Sequence, residues 1–251
     1  MERRRFSRLH QELKNKTYLH GGYKHFKISD PKPRDIHKAS VRDRLLHHAI
    51  YRQLYPFFDK TFISDSYSCR VGKGTHKAMD QFRRFSSQVS KNHTRTAWVL
   101  KCDIRKFFAS IDHQILFCIL ERYIADQNIL WLLRQVVGSF SSQNNVLTFL
   151  RKSECPKGLP LGNLTSQLLV NIYMNEFDQY IKHTLKSKYY IRYADDFVLL
   201  SHNKRVLRTA SKWRMFRRLC EQAEQEGKEA TRRSYVGMLK HGNTRKLRQK
   251  I

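Results

Sequence analysis

The hydrophobic pattern of the chain predicts helices after a polar start. Residues 1–39 are polar and basic, and the stretch "SDPKPRD" interrupts any regular periodicity. From Ser40, a residue typical of N-caps, apolar residues recur at helical spacing through "SVRDRLLHHAIYRQLYPFF". A basic, glycine-containing loop and a second helix near residues 76–90 follow. We therefore expect an N-terminal extension leading into a helical region.

The pattern changes to mixed strands and helices in the middle of the chain. "TAWVLKCD" predicts a buried strand that ends at Asp103, and a helix is predicted to begin around Asp112. Further helices are predicted at about 126–138 and from about Leu164 to His183. Two runs of aromatic and β-branched residues in "YIRYADDFVLL" then predict a pair of strands. This order of elements indicates an α+β fold.

Two adjacent carboxylates, Asp195 and Asp196, stand between these last strands. They are either a solvated hairpin turn, where Asp is favoured, or a site for cations, because a half-buried sheet carries charge reluctantly. If the strand ending at Asp103 pairs with this hairpin, three carboxylates gather at one sheet edge. Such a group repels itself unless divalent ions lie within it, and Mg²⁺ prefers oxygen ligands. This arrangement predicts a two-metal site for phosphoryl transfer.

The charge of the chain narrows the choice of partner. Its 251 residues include 49 Lys and Arg against 21 Asp and Glu, giving a net charge of +28 and an isoelectric point near 10.2. Nucleic acid is the expected partner, with an anionic membrane as the rival. The sequence has neither a run of about 18 apolar residues nor an apolar signal region, so we expect a cytoplasmic protein and no membrane partner.

Cysteine and histidine patterns argue against other kinds of site. The five cysteines are scattered and never form a C-x-x-C pair, which argues against a zinc site and a disulfide framework. His47 and His48 are neighbours on a predicted helix and cannot share a face, so we expect no metal there.

Five stretches in a fixed order resemble the motifs of reverse transcriptases, most closely those of bacterial diversity-generating retroelements. The resemblance implies that the protein is encoded by a bacterium or a phage. The stretches are "PKPRDIHKASVRDRLLHHAI", "DSYSCRVGKGTHKA", "LKCDIRKFFASID", "KGLPLGNLTSQLLVNIYMNEFDQYI" and "YIRYADDFVLL". The resemblance implies a right-hand polymerase with fingers, a ferredoxin-like palm sheet and a short helical thumb. The expected divisions are a basic extension at 1–39, fingers at 40–95, palm at 96–203 and a basic thumb-like segment at 204–251.

The resemblance also implies roles for the acidic and aromatic residues of the third and fifth stretches. Asp103 and Asp195 are expected to bind Mg²⁺ directly, with Mn²⁺ as an alternative ion, and Asp196 to support the second ion or the primer end. Phe108 matches the position that blocks a ribose 2′-hydroxyl. Alternatively the aromatic pair is simply core, because one of Phe107 and Phe108 must point inward in an extended stretch.

Basic residues of the first two stretches are expected to bind the deoxynucleoside triphosphate. The resemblance implies that Arg70 clamps the triphosphate through charge-assisted hydrogen bonds, with Lys73 and Arg34 as weaker candidates. A solvated basic face is the alternative for all three.

The fourth stretch carries the narrower resemblance. Leu161 precedes Gly162, and Gln167 follows Ser166, a pattern that resembles diversity-generating retroelements. Leu161 offers the nucleotide no hydrogen bond, so the hypothesis is low fidelity. The resemblance implies that the errors are concentrated opposite template adenines. Gly158 and Gly162 are expected to permit close approach of the template–primer, or to be ordinary loop glycines.

The C-terminal part is basic with interleaved aromatic residues, as expected of a surface that follows a phosphate backbone. Ser166, Tyr193, Arg214 and Lys240 are the other expected template–primer contacts. The resemblance implies as partners a template RNA, its RNA–DNA duplex, deoxynucleotides and a small basic accessory protein.

One departure from the family pattern affects the functional prediction. After "YIRYADDFVLL" the two segments that normally complete the palm, a Lys-containing motif and a primer grip, are missing, so we expect an incomplete palm with an exposed edge. The alternative to an error-prone polymerase is therefore a catalytically impaired RNA-binding remnant. A group II intron or retron reverse transcriptase is a further alternative within the enzyme class.

Overall fold

The computed structural model describes residues 2–29, 33–104, 106–140, 156–211 and 245–247. The chain forms two units, each assembled from two segments: the first unit is 1–58 with 108–170, and the second is 59–107 with 171–251. The helices are α1 (Glu2–Lys14), α2 (Val41–Phe58), α3 (Thr75–Ser90), α4 (Phe107–Ser110), α5 (His113–Tyr123), α6 (Gln127–Gly138), α7 (Leu164–Gln179) and α8 (Lys204–Ser211). The strands are β1 (Lys24–Ser29), β2 (Pro33–Lys38), β3 (Trp98–Cys102), β4 (Tyr190–Tyr193), β5 (Asp196–Ser201) and β6 (Arg245–Leu247), and a π-helical turn, Tyr180–Thr184, follows α7.

The N-terminal residues are regular where an irregular extension was predicted. Helix α1 packs against α2, and β1 and β2 form an antiparallel hairpin on either side of residues 30–32. Pro33 is the first residue of β2, a position where a missing N–H is tolerated. The two units do not coincide with the predicted extension, fingers, palm and thumb. That division of the chain stays a prediction.

The helices of the first unit begin where the sequence pattern predicts. The Ser40 hydroxyl accepts a hydrogen bond from the Asp43 backbone N–H and donates one to the Asp43 carboxylate, which caps α2. Asp112 and Asp126 cap α5 and α6 by accepting from backbone N–H groups of their first turns. The predictions of these three helices are confirmed. Their buried faces hold most of the apolar core of this unit: Leu46, Ile50, Leu54, Ile115, Leu116, Ile119, Leu120, Leu130, Leu133, Val136 and Val137.

The second unit is built on an antiparallel sheet with the strand order β4–β5–β3–β6. Among the described residues, the four strands of this sheet and the helices α7 and α8 follow one another in the order β3, α7, β4, β5, α8, β6. This is a βαββαβ arrangement with the first strand between the third and the fourth, as in ferredoxin-like folds. The predicted ferredoxin-like palm sheet is therefore confirmed.

Side chains from helices cover both faces of this sheet. On one face, Phe85 and Val89 of α3 pack against Ile191 and Leu200. On the other face, the ring of Phe177 at the end of α7 packs against the rings of Tyr190 and Phe197. Strands β4 and β5 therefore contribute buried residues to both faces of the sheet.

The palm sheet has a fourth strand where the sequence predicts an exposed edge. Strand β6 pairs with β3 over three residues, so that Val99 faces Leu247 and Lys101 faces Arg245. The expectation of an uncovered edge is wrong along these residues, because the C-terminal end of the chain supplies the missing partner. The rest of the predicted thumb-like segment beyond α8 lies outside the described residues.

Membrane-spanning helices and disulfide bonds are two features that the sequence predicts to be absent. None of the helices in the part of the chain that the structure describes is long and apolar enough to cross a membrane. Cys69, Cys102 and Cys118 carry free thiols, and Cys155 and Cys220 lie outside the described residues.

Candidate active site

The acidic residues predicted to bind metal lie at one end of the palm sheet. Asp103 directly follows β3, Asp196 is the first residue of β5, and Asp195 occupies the turn between β4 and β5. Cys102 pairs with Phe197 in the antiparallel register, so the same register continued by one residue places Asp103 opposite Asp196. Directly opposed residues of an antiparallel pair point to the same face, with Cβ atoms about 5 Å apart. The predicted pairing of these strands is thus confirmed.

A lysine that the sequence prediction missed belongs to the same face. Lys101 lies two residues before Asp103, and its Nζ is 3.6 Å from Oδ1 of Asp196. Both side chains are about half exposed, so the ion pair is weak in water. The contact shows that the Asp196 carboxylate lies where a cation can reach it.

The donor set at this end fits a divalent cation in its chemistry but is incomplete in its geometry. Carboxylate oxygens are the ligands that Mg²⁺ prefers, and the register brings Asp103 and Asp196 together. Among the described residues, however, no group of three or more Asp, Glu, His or Cys side chains could hold a metal ion. The predicted gathering of all three carboxylates is therefore not found. If the β3–β5 register is continued by one residue, Asp196 rather than Asp195 lies opposite Asp103. The roles of the three carboxylates in metal binding stay predictions.

The turn that carries Asp195 has a strained backbone held by a buried side chain. Ala194 adopts a φ of 54°, in the left-handed region, which costs a residue other than glycine about 1–2 kcal/mol. Its carbonyl oxygen accepts a hydrogen bond of 3.0 Å from Nη1 of Arg192. The strained turn is therefore fixed to the sheet from the inside.

Arg192 and Asp178 form an ion pair that is completely buried. Nε of Arg192 lies 2.9 Å from each Asp178 oxygen, Nη2 lies 2.8 Å from Oδ2, and the Tyr190 hydroxyl donates to Oδ1 at 2.6 Å. Burial would lower the pKa of Arg192, but the charge and hydrogen bonds of Asp178 outweigh it and raise that pKa. Burial, together with the same carboxylate, raises the pKa of Tyr190. Arg192 is thus charged, and Tyr190 is neutral.

The same guanidinium also holds the loop before α3. Nη2 of Arg192 donates to the Ser66 hydroxyl at 3.0 Å, and Nη1 donates to the side-chain oxygen of Asn171 at 3.1 Å. The Arg192 backbone N–H donates to the Asp65 carbonyl, and its carbonyl accepts from the Tyr67 N–H. One buried residue therefore contacts both the acidic turn and the loop that leads to Arg70.

Arg70 and Lys73, the predicted triphosphate contacts, are engaged with their own loop. Arg70 makes four hydrogen bonds to protein oxygens, two of them to Asp59, and its side chain is only 7% exposed. Lys73 donates to the Ser64 carbonyl, and burial lowers its pKa. In this structure Arg70 shapes the loop, and binding of a triphosphate would require some of these hydrogen bonds to be exchanged.

In the first unit, the predicted nucleotide-binding loop is attached to the N-terminal hairpin. The His37 N–H donates to the Leu161 carbonyl at 2.9 Å, and the Asn163 side chain donates to the His37 carbonyl at 2.8 Å. Gly162 has a φ of +106°, and a Cβ there would lie 2.8 Å from Cγ2 of Ile36. The absence of a side chain at Gly162 therefore makes room for Ile36, and the predicted approach of the template–primer to Gly162 stays a prediction.

Gly158 and Phe108 are joined to neighbouring backbone in the same unit. Gly158 is buried, has a φ of 103°, and donates its N–H to the Ile111 carbonyl, while its own carbonyl contacts His113. The Phe108 carbonyl accepts from the Leu159 N–H at 2.8 Å. Phe107 and Phe108 begin a one-turn helix rather than an extended stretch. Phe107 is buried, and Phe108 is half-buried.

The remaining predicted contacts are distributed between the two units. In the first unit Arg34 is exposed on β2, Ser166 is buried in the first turn of α7, and Gln167 is half-buried beside it. In the second unit the Tyr193 hydroxyl accepts from Thr75. Arg214 and Lys240 lie outside the described residues.

Comparison with known proteins decides the family. A family model described as reverse transcriptase (RNA-dependent DNA polymerase) matches residues 27–228. The chain belongs to the reverse transcriptase family. The membership of the reverse transcriptase family that the five motifs predict is thus confirmed. The narrower assignment to diversity-generating retroelements stays a prediction.

Several curated proteins are similar to this chain in sequence, and a solved structure is similar to it in fold. Protein YkfC of Escherichia coli K12 is 30% identical over 61% of this chain and 38% of its own length. Group II intron-encoded protein LtrA of Lactococcus lactis is 24% identical over 71% of this chain and 28% of its own length. The chain thus spans less than half of either relative. Apo telomerase from Candida tropicalis, truncated from its C-terminal domain, shares the fold, with a TM-score of 0.53 at 12% identity over 90% of this chain and 50% of that chain.

Proposed function

We propose that the chain is an RNA-directed DNA polymerase that extends a primer along a template RNA by adding deoxynucleotides. The observation that carries the proposal is the acidic end of the ferredoxin-like sheet, where Asp103 directly follows β3, Asp196 begins β5 and Asp195 lies in the adjoining turn. In a basic chain of the reverse transcriptase family, this end is where phosphoryl transfer is expected.

The carboxylates of this end would hold divalent cations, with Mg²⁺ as the expected ion and Mn²⁺ as the alternative. When bound, such ions would neutralise charge that develops on the phosphate during transfer. The protein contributes position: β3 and β5 fix Asp103 and Asp196, while the turn fixes Asp195. Lys101 lies at 3.6 Å from Asp196 and would have to give way to an ion at that carboxylate.

Primer extension on an RNA template tests this proposal. The assay compares the chain with a double variant, Asp195→Asn with Asp196→Asn, and with Asp80→Asn as a matched control. Asp80 is exposed on α3 and pairs only weakly with Arg83, so its loss should leave extension unchanged. The double variant should extend at least about a hundredfold more slowly. Extension that is equal in all three proteins would place the chemistry elsewhere.

A catalytically impaired RNA-binding protein is the second candidate, because two palm segments are missing from the sequence. Its predicted result is salt-sensitive RNA binding without extension, and without any effect of the Asp195 and Asp196 substitutions. The pairing of β6 with β3 favours the polymerase, because it gives the sheet its fourth strand.

Within the polymerase class, we assign the chain to diversity-generating retroelements rather than to group II introns, on the basis of Leu161 and Gln167. Leu161 offers no hydrogen bond to a base, so discrimination between nucleotides should be weak. The resemblance to diversity-generating retroelements implies that the errors concentrate opposite template adenines. Sequencing the extension products of the unmodified chain and of Leu161→Gln tests this assignment. Fewer errors in the variant support it, and products of equal and uniformly high fidelity would favour a group II intron type.

The partners and location follow from this assignment and stay proposals. They are a template RNA, the growing RNA–DNA duplex, a small basic accessory protein and a cytoplasmic setting. Because the chain carries a net charge of +28, a basic partner would be repelled unless RNA lay between them. Co-purification of the two proteins should therefore be abolished by ribonuclease.

A further inference from the structure

Arg192 has more hydrogen bonds than its ion pair requires. Asp178 neutralises its charge, yet Nη1 and Nη2 also contact the Ala194 carbonyl and the Ser66 hydroxyl. Ala194 belongs to the strained turn beside Asp195, and Ser66 to the loop that leads to Arg70. The side chain is 0% exposed, so no water competes for these bonds.

We propose that Arg192 is a positioning residue for nucleotide transfer, which couples the acidic turn to the loop preceding Arg70. Asp178 holds the guanidinium in one orientation through its two oxygens. In that orientation the remaining N–H groups reach Ala194 on one side and Ser66 on the other. Displacement of either segment would therefore displace the other, which matters if the turn and the loop hold opposite ends of the reacting phosphates. The proposal rests on the polymerase function.

A purely structural role for the pair makes a different prediction. Buried ion pairs can often be replaced by apolar residues of similar size without loss of stability. If Arg192 and Asp178 only filled the core, such a replacement would leave the turn as it was. If Arg192 positions the turn, the replacement would preserve folding but release Ala194.

Arg192→Lys separates charge from geometry. A lysine ammonium can remain paired with Asp178, but it lacks the planar fork that reaches Ala194 and Ser66 at the same time. The matched control is Arg134→Lys in the first unit, where Arg134 pairs with Glu121 on the surface at 2.6 Å. Both variants keep the net charge and change the same chemical group.

Hydrogen–deuterium exchange reads the position of the turn independently of activity. In Arg192→Lys, exchange of backbone amides at 193–197 and 65–68 should increase at least about tenfold. Exchange in helix α5 should stay unchanged, and Arg134→Lys should match the unmodified chain throughout. A folded Arg192→Lys protein with unmodified exchange in the turn would overturn the proposal.

A triple variant guards against loss of folding. Arg192→Met with Asp178→Leu and Tyr190→Phe replaces the pair and its tyrosine by apolar groups of similar size. It should melt close to the unmodified chain yet show the same fast exchange of the turn. Restored slow exchange would overturn the proposal. So would failure of both Arg192 variants to fold, because the pair would then serve the whole unit rather than the turn.

Kinetics distinguish failure of this inference from failure of the proposed function. In primer extension, kcat of Arg192→Lys should fall at least about tenfold, while the Kd for primer–template stays unchanged. If the unmodified chain does not extend a primer, the polymerase function fails, and the exchange experiment still decides whether Arg192 holds the turn. Normal kcat in a folded Arg192→Lys protein would overturn the positioning role.

Discussion

His47 shows how a buried position fixes the protonation state of a side chain. It is 1% exposed, its Nε2 lies 3.0 Å from Nε2 of His20, and its Nδ1 contacts the Thr165 hydroxyl. The His20 Nδ1 contacts the Gly21 carbonyl, which can only accept, so His20 carries its proton there. His47 is the ring that burial keeps neutral near pH 7. Burial, with the nearby His20, lowers the pKa of His47 to about 4.

This shift predicts a loss of stability in mild acid. The unfolded chain binds a proton at His47 near the ordinary value of 6.5, whereas the folded chain resists it until about 4. The contribution of neutral His47 to the free energy of unfolding is therefore complete above pH 6.5. It is lost as the pH falls toward 4, which lowers the free energy of unfolding by up to about 3 kcal/mol. Burial also lowers the pKa values of His37 and His113, so their protonation in acid acts on stability in the same direction.

The test compares two neighbouring histidines. Urea unfolding of the chain, His47→Asn and His48→Asn would be measured between about pH 7.5 and pH 4.5. His47→Asn should flatten part of the pH dependence, while His48→Asn, at an exposed position, should follow the unmodified chain. Equal slopes in all three proteins would contradict the assignment to His47.

Gly162→Ala should destabilise the first unit. Its φ of +106° is unfavourable for alanine, and the new Cβ would lie 2.8 Å from Ile36. Strain and overpacking together should cost about 2–4 kcal/mol in the free energy of unfolding. Gly22→Ala is the control, because a Cβ there meets nothing within 4 Å. Equal stability of the two variants in urea would contradict the close contact with Ile36.

At the residue scale, the acidic positions could be predicted, but their supports could not. Asp103, Asp195 and Asp196 stand out because strand ends rarely carry paired charge. Arg192 was missed although its setting gave a signal: an arginine inside an apolar strand must find a buried partner. That partner, Asp178, lies on α7, and only the tertiary structure brings the two together.

At the scale of elements, the helix caps and the pairing of β5 with β3 and β4 could be predicted, but the partners of the N-terminal hairpin and of β6 could not. Asp112 and Asp126 precede strongly periodic segments, so the starts of α5 and α6 follow from local sequence. The β1–β2 hairpin depends on Leu161 and Asn163, more than 120 residues away along the chain. Strand β6 likewise pairs with β3, although the two strands lie far apart along the chain. Such long-range pairings leave little trace in local periodicity.

The cap of α6 gives a prediction at this scale. Asp126 accepts hydrogen bonds from the N–H groups of Asn128 and Ile129. Asp126→Ala should lower the free energy of unfolding by about 1 kcal/mol, whereas Asp126→Asn keeps an accepting oxygen and should change it little. Thermal unfolding of both variants checks this. An alanine variant as stable as the asparagine variant would show that the cap contributes nothing.

At the scale of the whole molecule, charge predicts how RNA binding responds to salt. With a net charge of +28, the chain should bind RNA mainly through phosphates and release counterions. Contacts to six or more phosphates would cost about a thousandfold in affinity between about 50 and about 200 mM salt. Filter binding to unrelated RNA sequences measures both the slope and its independence of sequence. An affinity that is insensitive to salt would contradict electrostatic binding.

If the β3–β5 end of the palm sheet is the catalytic centre, substitution of a carboxylate there should slow nucleotide addition, whereas substitution of a carboxylate elsewhere should not. Addition of one deoxynucleotide to a primer on an RNA template would be timed for Asp103→Asn and Asp112→Asn. Asp112 caps α5 through one oxygen, which asparagine retains, so this variant should act like the unmodified chain. Asp103→Asn should be slower by about a hundredfold or more. Equal rates for the two variants would contradict the account.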